Sequence, residues 1–156
     1  MKLKILAVGQ KMPAWVTTAY QEYAKRMPRE CSLQLVEIAP AKRTKQSNLG
    51  KVVEDEGKRL LAAIKDSDYV LALEVKGKMW STEDLAKQLA SWQGVYTDIV
   101  LIIGGPDGLS EACLKRANQQ WCLSALTFPH PLVRVVLAEQ LYRGWSLMNN
   151  HPYHRE

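Results

Sequence analysis

Ile99-Val100-Leu101-Ile102-Ile103 is a continuous aliphatic run that breaks directly into Gly104-Gly105-Pro106-Asp107-Gly108. A run with no polar alternation, bounded by turn formers, predicts a strand buried on both faces, the setting of a parallel sheet. A glycine pair at the carboxyl end of such a strand lets the backbone bend sharply and lets a ligand approach it closely. Open α/β sheets bind their ligands in the crevice outside the carboxyl ends of the strands. The stretch from Ile99 to His130 therefore reads as the floor and wall of a small-molecule pocket. Its far end is Trp121-Cys122-Leu123-Ser124-Ala125-Leu126-Thr127-Phe128-Pro129-His130-Pro131.

The rest of the chain supplies the layers around that strand. Leu3 to Val8, ending at Gly9, predicts a first strand. Pro13 suits the first turn of a helix whose apolar stripe is Met12, Val16, Tyr20, Tyr23 and Met27, and Pro28 stops it. Leu33 to Ile38 is a second strand. The segment from Ala39 to Asn48 has no periodicity and carries Lys42, Arg43 and Lys45. Two readings of it stay open, a solvated surface loop and a phosphate-binding lid. A helix from about Leu49 presents Val52, Val53, Leu60, Leu61 and Ile64, and Tyr69 to Leu73 is a third strand. After a turn at Lys76-Gly77-Lys78, Ser81 caps a helix carrying Leu85, Leu89 and Trp92. Ser110 caps a short helix after the organising strand, and Leu123 to Leu126 reads as the last strand. Strands alternating with helices in this way mean a mainly parallel sheet with crossover helices, one α/β domain over residues 1–156.

The final helix, Leu132 to about Met148, carries too much apolar surface for one exposed face. Val133, Leu137, Leu141, Trp145 and Met148 form one stripe, with Leu132, Val135, Val136 and Tyr142 beside it. Either the helix is buried on two sides within the chain or its second side packs on another copy. In a domain this small the second reading is preferred, and a homodimer is expected.

Composition narrows the class of function. With 47% hydrophobic and 24% charged residues the 156-residue chain has the balance of an ordinary globular protein. No apolar run reaches the length of a membrane span and no basic-then-apolar leader opens the sequence, so a cytoplasmic protein is expected. Cys31, Cys113 and Cys122 show no paired spacing and read as small core residues. A formal charge of +5 points to an anionic partner.

The glycine spacing does not fit the dinucleotide fingerprint, and Pro106 removes an N–H that a phosphate cradle would need. No nucleophile elbow is present. No metal is expected either, because His151 and His154 lack neighbouring Cys or Asp partners. A glycine turn facing a loop with free backbone groups suits an uncharged ring such as adenine, with Leu73, Leu123 and Leu126 as apolar walls. The tail reads Asn149-Asn150-His151-Pro152-Tyr153-His154-Arg155-Glu156. Chain ends are disordered by default, yet Tyr, His and Arg are the side chains that stack on bases, move protons and hold phosphate. A functional tail is the reading preferred.

Gly104-Gly105-Pro106-Asp107-Gly108, the Leu123 to His130 segment, the helix bearing Arg134, Glu139, Tyr142 and Arg143, and the Pro152-Tyr153-His154 tail together resemble the RlmH family. These are bacterial large-subunit rRNA (pseudouridine-N3)-methyltransferases of the SPOUT class, and the resemblance spans Lys2 to Glu156. It implies an α/β fold with a carboxyl-terminal trefoil knot, although knots are otherwise nearly absent from proteins. It implies S-adenosylmethionine as methyl donor, held by Leu73, by the Gly104-Gly105 turn and by Leu123, Ser124, Ala125, Leu126, Thr127 and Phe128. It implies a homodimer acting on the large-subunit rRNA of the ribosome, each site completed by the partner's tail. The imide N3 must lose its proton, so His154 or His130 is a candidate proton acceptor, with Arg143 or Arg155 stabilising the anion or gripping phosphate. Tyr153 belongs to the same candidate catalytic set, and Lys42, Arg43 and Lys45 would meet rRNA phosphates. For His130, between two prolines, a structural turn role stays equally open. The alternatives are methylation of another RNA position, or a non-catalytic RNA-binding protein of the same fold.

Overall fold

In the computed structural model, which describes residues 1–155, two strands form the centre: β1 (Lys2–Val8) and β4 (Asp98–Ile103). β2 (Ser32–Ile38) lies outside β1, β3 (Tyr69–Met79) lies beside β4, and β5 (Gln119–Cys122) forms the far edge. The order is β2-β1-β4-β3-β5, and each of these pairings is parallel. The expected α/β class and parallel sheet are therefore observed. The aliphatic run of β4 is buried as its composition demands, since Ile99, Val100, Leu101 and Ile102 are fully enclosed.

Period-two alternation assigns each side chain to a layer. Leu3, Ile5, Leu71, Ile99 and Leu101 face α1 (Ala14–Ala24), α3 (Thr82–Trp92) and α5 (His130–Met148). Leu6, Val70, Ala72, Val100 and Ile102 face α2 (Leu49–Ala62) and α4 (Glu111–Arg116). Each fully buried Leu or Ile contributes about 1.5–3 kcal/mol by leaving water. Among the described residues no helix is long and apolar enough to cross a membrane. All three cysteines are buried and unpaired.

The caps at Ser81 and Ser110 form as expected. The Ser81 hydroxyl accepts from the Asp84 N–H while Asp84 accepts from the Ser81 N–H, and Ser110 accepts from the Cys113 N–H. Asn48 caps α2 in the same manner.

Three expectations need correction. The turn at Lys76-Gly77-Lys78 is part of β3, which runs on to Met79. Its pairing with β5 is interrupted: Leu73 and Lys78 both register with Trp121, so the four residues between them bulge out. The last strand is Gln119–Cys122 and not Leu123 to Leu126, because the β3 partners of Trp121 and Cys122 are already the end of that ladder. Leu123 to Phe128 is left as a loop, turned by the Ser124 hydroxyl, which accepts from the Leu126 N–H at 2.9 Å. The final helix begins at His130, two residues early, because Pro131 fits within its first turn.

Gly77 explains how the bulge closes. A Cβ there would lie 2.7 Å from the Gln120 carbonyl carbon and the Trp121 nitrogen. Gly77→Ala is expected to push β5 off β3 and lower stability by about 1–3 kcal/mol. A urea midpoint unchanged from wild type would show that β5 yields without cost.

Candidate active site

The bulge of β3 and the carboxyl ends of β4 and β5 open into a cavity of about 620 Å³. Its residues arrive from three directions: Leu73 and Val75 from β3, the turn after β4, and the 123–128 loop after β5. Leu73, Gly104, Gly105, Leu123, Ser124, Ala125, Leu126, Thr127 and Phe128 all line it, so the whole expected cofactor set is brought together. Among the described residues the N–H groups of Ala125, Thr127 and Phe128 donate to no protein acceptor. Leu126 and Val75 stand 72% and 84% exposed at the rim, large apolar groups free to close on a ligand. The volume lies in the usual range for small-molecule sites, ~300–1,000 Å³. Free backbone donors and apolar walls at this size fit an adenine nucleoside.

The turn that forms the floor is tightly determined. The Gly108 N–H donates to the Gly105 carbonyl at 3.0 Å, with Pro106 and Asp107 between them, and Gly108 takes φ +86°. A Cβ on Gly104 would lie 2.6 Å from the Gly108 carbonyl carbon and oxygen. The need for glycine at 104 is thus the close approach of the turn to itself, where the sequence suggested close approach of a ligand.

The basic loop behaves differently from the expectation of three free cations. Lys42 and Lys45 are exposed. Arg43 is tied down: its Nη1 and Nη2 donate to the two Glu56 carboxylate oxygens at 2.9 and 3.0 Å, and its Nε donates to Asp107 at 3.0 Å. The hydrogen bonds to Glu56, and then those to Asp107, raise the Arg43 pKa above its ordinary value. Glu56 is 1% exposed and also accepts from the Ala41 N–H. Sequence reasoning missed Glu56. The available signal was a carboxylate at the centre of the Val52, Glu56, Leu60 stripe, where burial demands a partner.

The histidines and the tail are held by α5 and its neighbours. His130 Nε2 lies 2.7 Å from the Val8 carbonyl oxygen and donates to it, stitching α5 to the end of β1. Beside it, the buried Arg134 donates to Glu37 at 2.6 Å and to the Gly9 carbonyl at 2.9 Å. His130 therefore sits as a structural anchor at the helix start. The Tyr153 hydroxyl donates to Glu139 at 2.8 Å, and its ring lies 4.6 Å from that of Tyr142 and 4.9 Å from the Arg143 guanidinium. Burial, then the Glu139 hydrogen bond, pushes the Tyr153 phenol up to about 12, so at neutral pH it is a donor and not a base. His154 Nδ1 accepts from Arg143 at 3.2 Å, and its Nε2 lies 3.6 Å from Glu83. Arg155 is exposed, and Glu156 lies outside the described residues. The five candidate catalytic residues thus do not share one place in this chain. Val133 lines the cavity while Arg143 is ten residues further along α5, about 15 Å at 1.5 Å per residue. Among the described residues there is no group of three His, Cys, Asp or Glu able to hold a metal ion.

This architecture has known counterparts. A probable methylase family protein from Haemophilus influenzae superposes with TM-score 0.59 at 13% identity, covering 99% of this chain and 70% of that one. TrmJ from Z. mobilis superposes with TM-score 0.54 at 13% identity, covering 92% and 70%. These likenesses concern the fold. A family described as predicted SPOUT methyltransferase matches residues 1–154. With its parallel sheet and its cavity between the β3 bulge and the ends of β4 and β5, the chain belongs to the SPOUT methyltransferases. A protein named ribosomal RNA large subunit methyltransferase H from Methylococcus capsulatus is 56% identical over 155 residues, 99% of this chain and all of the relative. Another of that name from Hahella chejuensis is 54% identical over the full length of both. Within the SPOUT class the chain is a methyltransferase of this H family, the one abbreviated RlmH.

Proposed function

We propose that this chain methylates N3 of a pseudouridine in large-subunit rRNA, using S-adenosylmethionine, as a cytoplasmic homodimer whose carboxyl-terminal segment is knotted as in the SPOUT class. The observation that carries the reading is the cavity, lined by every residue that the family resemblance assigns to the methyl donor. The names of the two relatives at 56% and 54% identity supply the rRNA substrate.

S-adenosylmethionine, when bound, supplies an electrophilic methyl group; the chain's residues hold the reactants. Leu73, Leu123 and Leu126 would flank the donor's adenine, and the Ala125, Thr127 and Phe128 N–H groups, which donate to no protein acceptor, would be free to read the edge of that ring. Lys42 and Lys45 face solvent, where a phosphate backbone can reach them. A pseudouridine N3 must lose its proton before it accepts a methyl group. In this arrangement His130 donates to Val8 through Nε2, which leaves its Nδ1 lone pair open to that proton, whereas His154 Nδ1 would first give up its bond from Arg143; both histidines stay candidates. Two features support a dimer. Leu132, Val135 and Val136 stay partly exposed on α5, although Tyr142 of the same stripe is buried within the chain, and none of Tyr153, His154 and Arg155 lines the chain's own cavity.

The test combines titration calorimetry with S-adenosylmethionine and mass spectrometry of rRNA incubated with protein and donor. Donor binding and a methyl mass gain on one pseudouridine are expected. A gain on a uridine or on another base would overturn the N3-pseudouridine assignment, and no heat with the donor would overturn the cofactor.

A further inference from the structure

We infer that Arg43 and Glu56 are positioning residues for the donor site, clamping the Gly104–Gly108 turn through Asp107, and that Arg43 is not an RNA ligand. The inference rests on the reading in which the cavity holds S-adenosylmethionine. Asp107 occupies the tip of the turn and lines the cavity, and the turn has no helix or strand of its own to hold it. Its outside hold is Arg43 Nε at 3.0 Å, from a residue 64 positions away. Arg43 in turn is locked in a paired, planar grip by both oxygens of a carboxylate that is 1% exposed. It also reaches the Ala41 carbonyl at 3.4 Å, so Nη1 and Nε are fully used and little donor capacity faces solvent.

Gly105 gives independent support. A Cβ there would lie 3.0 Å from Glu56 Oε1, 3.2 Å from Arg43 Nη2 and 3.3 Å from Val8 Cγ1. The turn's backbone is laid directly on the ion pair, which therefore fixes its height as well as its tip. An Asp107 released from Arg43 would leave the turn free to open at the donor's side of the cavity. The cost would then appear in donor binding, while phosphate binding by Lys42 and Lys45 would not change.

The decisive experiment measures two affinities on each full-length variant: S-adenosylmethionine by calorimetry, and rRNA across a salt series. Arg43→Ala is expected to weaken the donor about tenfold or more and to raise its KM, with kcat nearly kept at saturating donor and the rRNA salt slope unchanged. Lys42→Ala with Lys45→Ala is expected to flatten the slope and to leave donor affinity alone. Asp107→Ala, at an exposed position, removes the acceptor and keeps the buried Arg43–Glu56 pair intact, and so serves even if Arg43→Ala, which leaves Glu56 buried without its partner, fails to fold. Combined with Arg43→Ala it should be no worse than the more affected single variant, because both cut one link. Wild-type donor affinity in Arg43→Ala and Asp107→Ala would overturn the clamp, as would a flattened salt slope in Arg43→Ala. Multiplying effects in the double variant would show Asp107 acting on the donor by itself and would also overturn it. Wild-type protein that binds no donor sinks the cofactor reading first, an outcome distinct from bound donor that ignores the clamp.

Discussion

A chain ending at Pro152 will bind S-adenosylmethionine and transfer no methyl group. The truncation removes Tyr153, His154 and Arg155, with Glu156, and touches nothing that lines the cavity. Donor affinity should therefore hold within a few-fold, while turnover falls by at least ~100-fold, the lower end of what a positioned acid–base group contributes. If α5 pairs two subunits through its partly exposed Leu132, Val135 and Val136, the tail of one subunit serves the cavity of the other. Mixing decides it. The truncated chain is refolded together with a full-length chain whose cavity is filled by Ala125→Trp, a change at an exposed loop position that does not burden the core. Each parent is dead alone, and a mixed dimer has one complete site, so recovered activity marks sharing between chains. Persistent inactivity in demonstrated heterodimers would mean that each tail serves its own cavity, and full activity of the truncated chain alone would remove the tail from catalysis.

Gly104→Val will lose the donor by ~100-fold or more and cost the fold about 1–3 kcal/mol. The added Cβ would stand 2.6 Å from the Gly108 carbonyl group and 2.9 Å from the Leu109 nitrogen, both backbone atoms that cannot swing away. The turn must open, and the Gly108 to Gly105 hydrogen bond that closes it is lost. Gly94→Ala is the matched control: it meets no atom within 4 Å, although its φ of +81° brings backbone strain. It should lower stability modestly and leave the donor site intact. A folded Gly104→Val protein with wild-type donor affinity would show that the turn is no part of the site.

The central strands and the cavity were legible because their signals are local. Five aliphatic residues ending in a glycine pair leave little choice but a buried strand and a sharp turn, and Ser81 and Ser110 announce their helices through caps. The position of β5 was not legible. Leu123 to Leu126 is more apolar than Gln119-Gln120-Trp121-Cys122, but pairing was decided by β3, whose bulge brings Lys78 and Met79 to Trp121 and Cys122. The role of Arg43 was hidden for the same reason: Asp107 is far along the chain, and only the folded sheet brings it within 3.0 Å. In a loop with Lys42 and Lys45 on either side, sequence alone makes all three cations look alike. The fit of His130 to the Val8 carbonyl likewise joins two residues 122 positions apart.

The place of α5 has a consequence for how the molecule comes into being. The helix packs between α1 and α3 and supplies Leu137, Ala138 and Leu141 to the cluster built on Leu3, Ile5 and Leu101. It follows every strand in chain order. During synthesis, at ~5–20 residues per second, β1 and β4 can therefore pair seconds before the middle of that face has its cover. Arg134 and His130, which fasten α5 to Gly9 and Val8, join the end of the chain to its beginning. Closing so long a loop is slow by the rule that distant contacts delay folding. The nascent protein thus carries an uncovered aliphatic face until its last helix is released, an interval in which assistance from a chaperone has the most to protect.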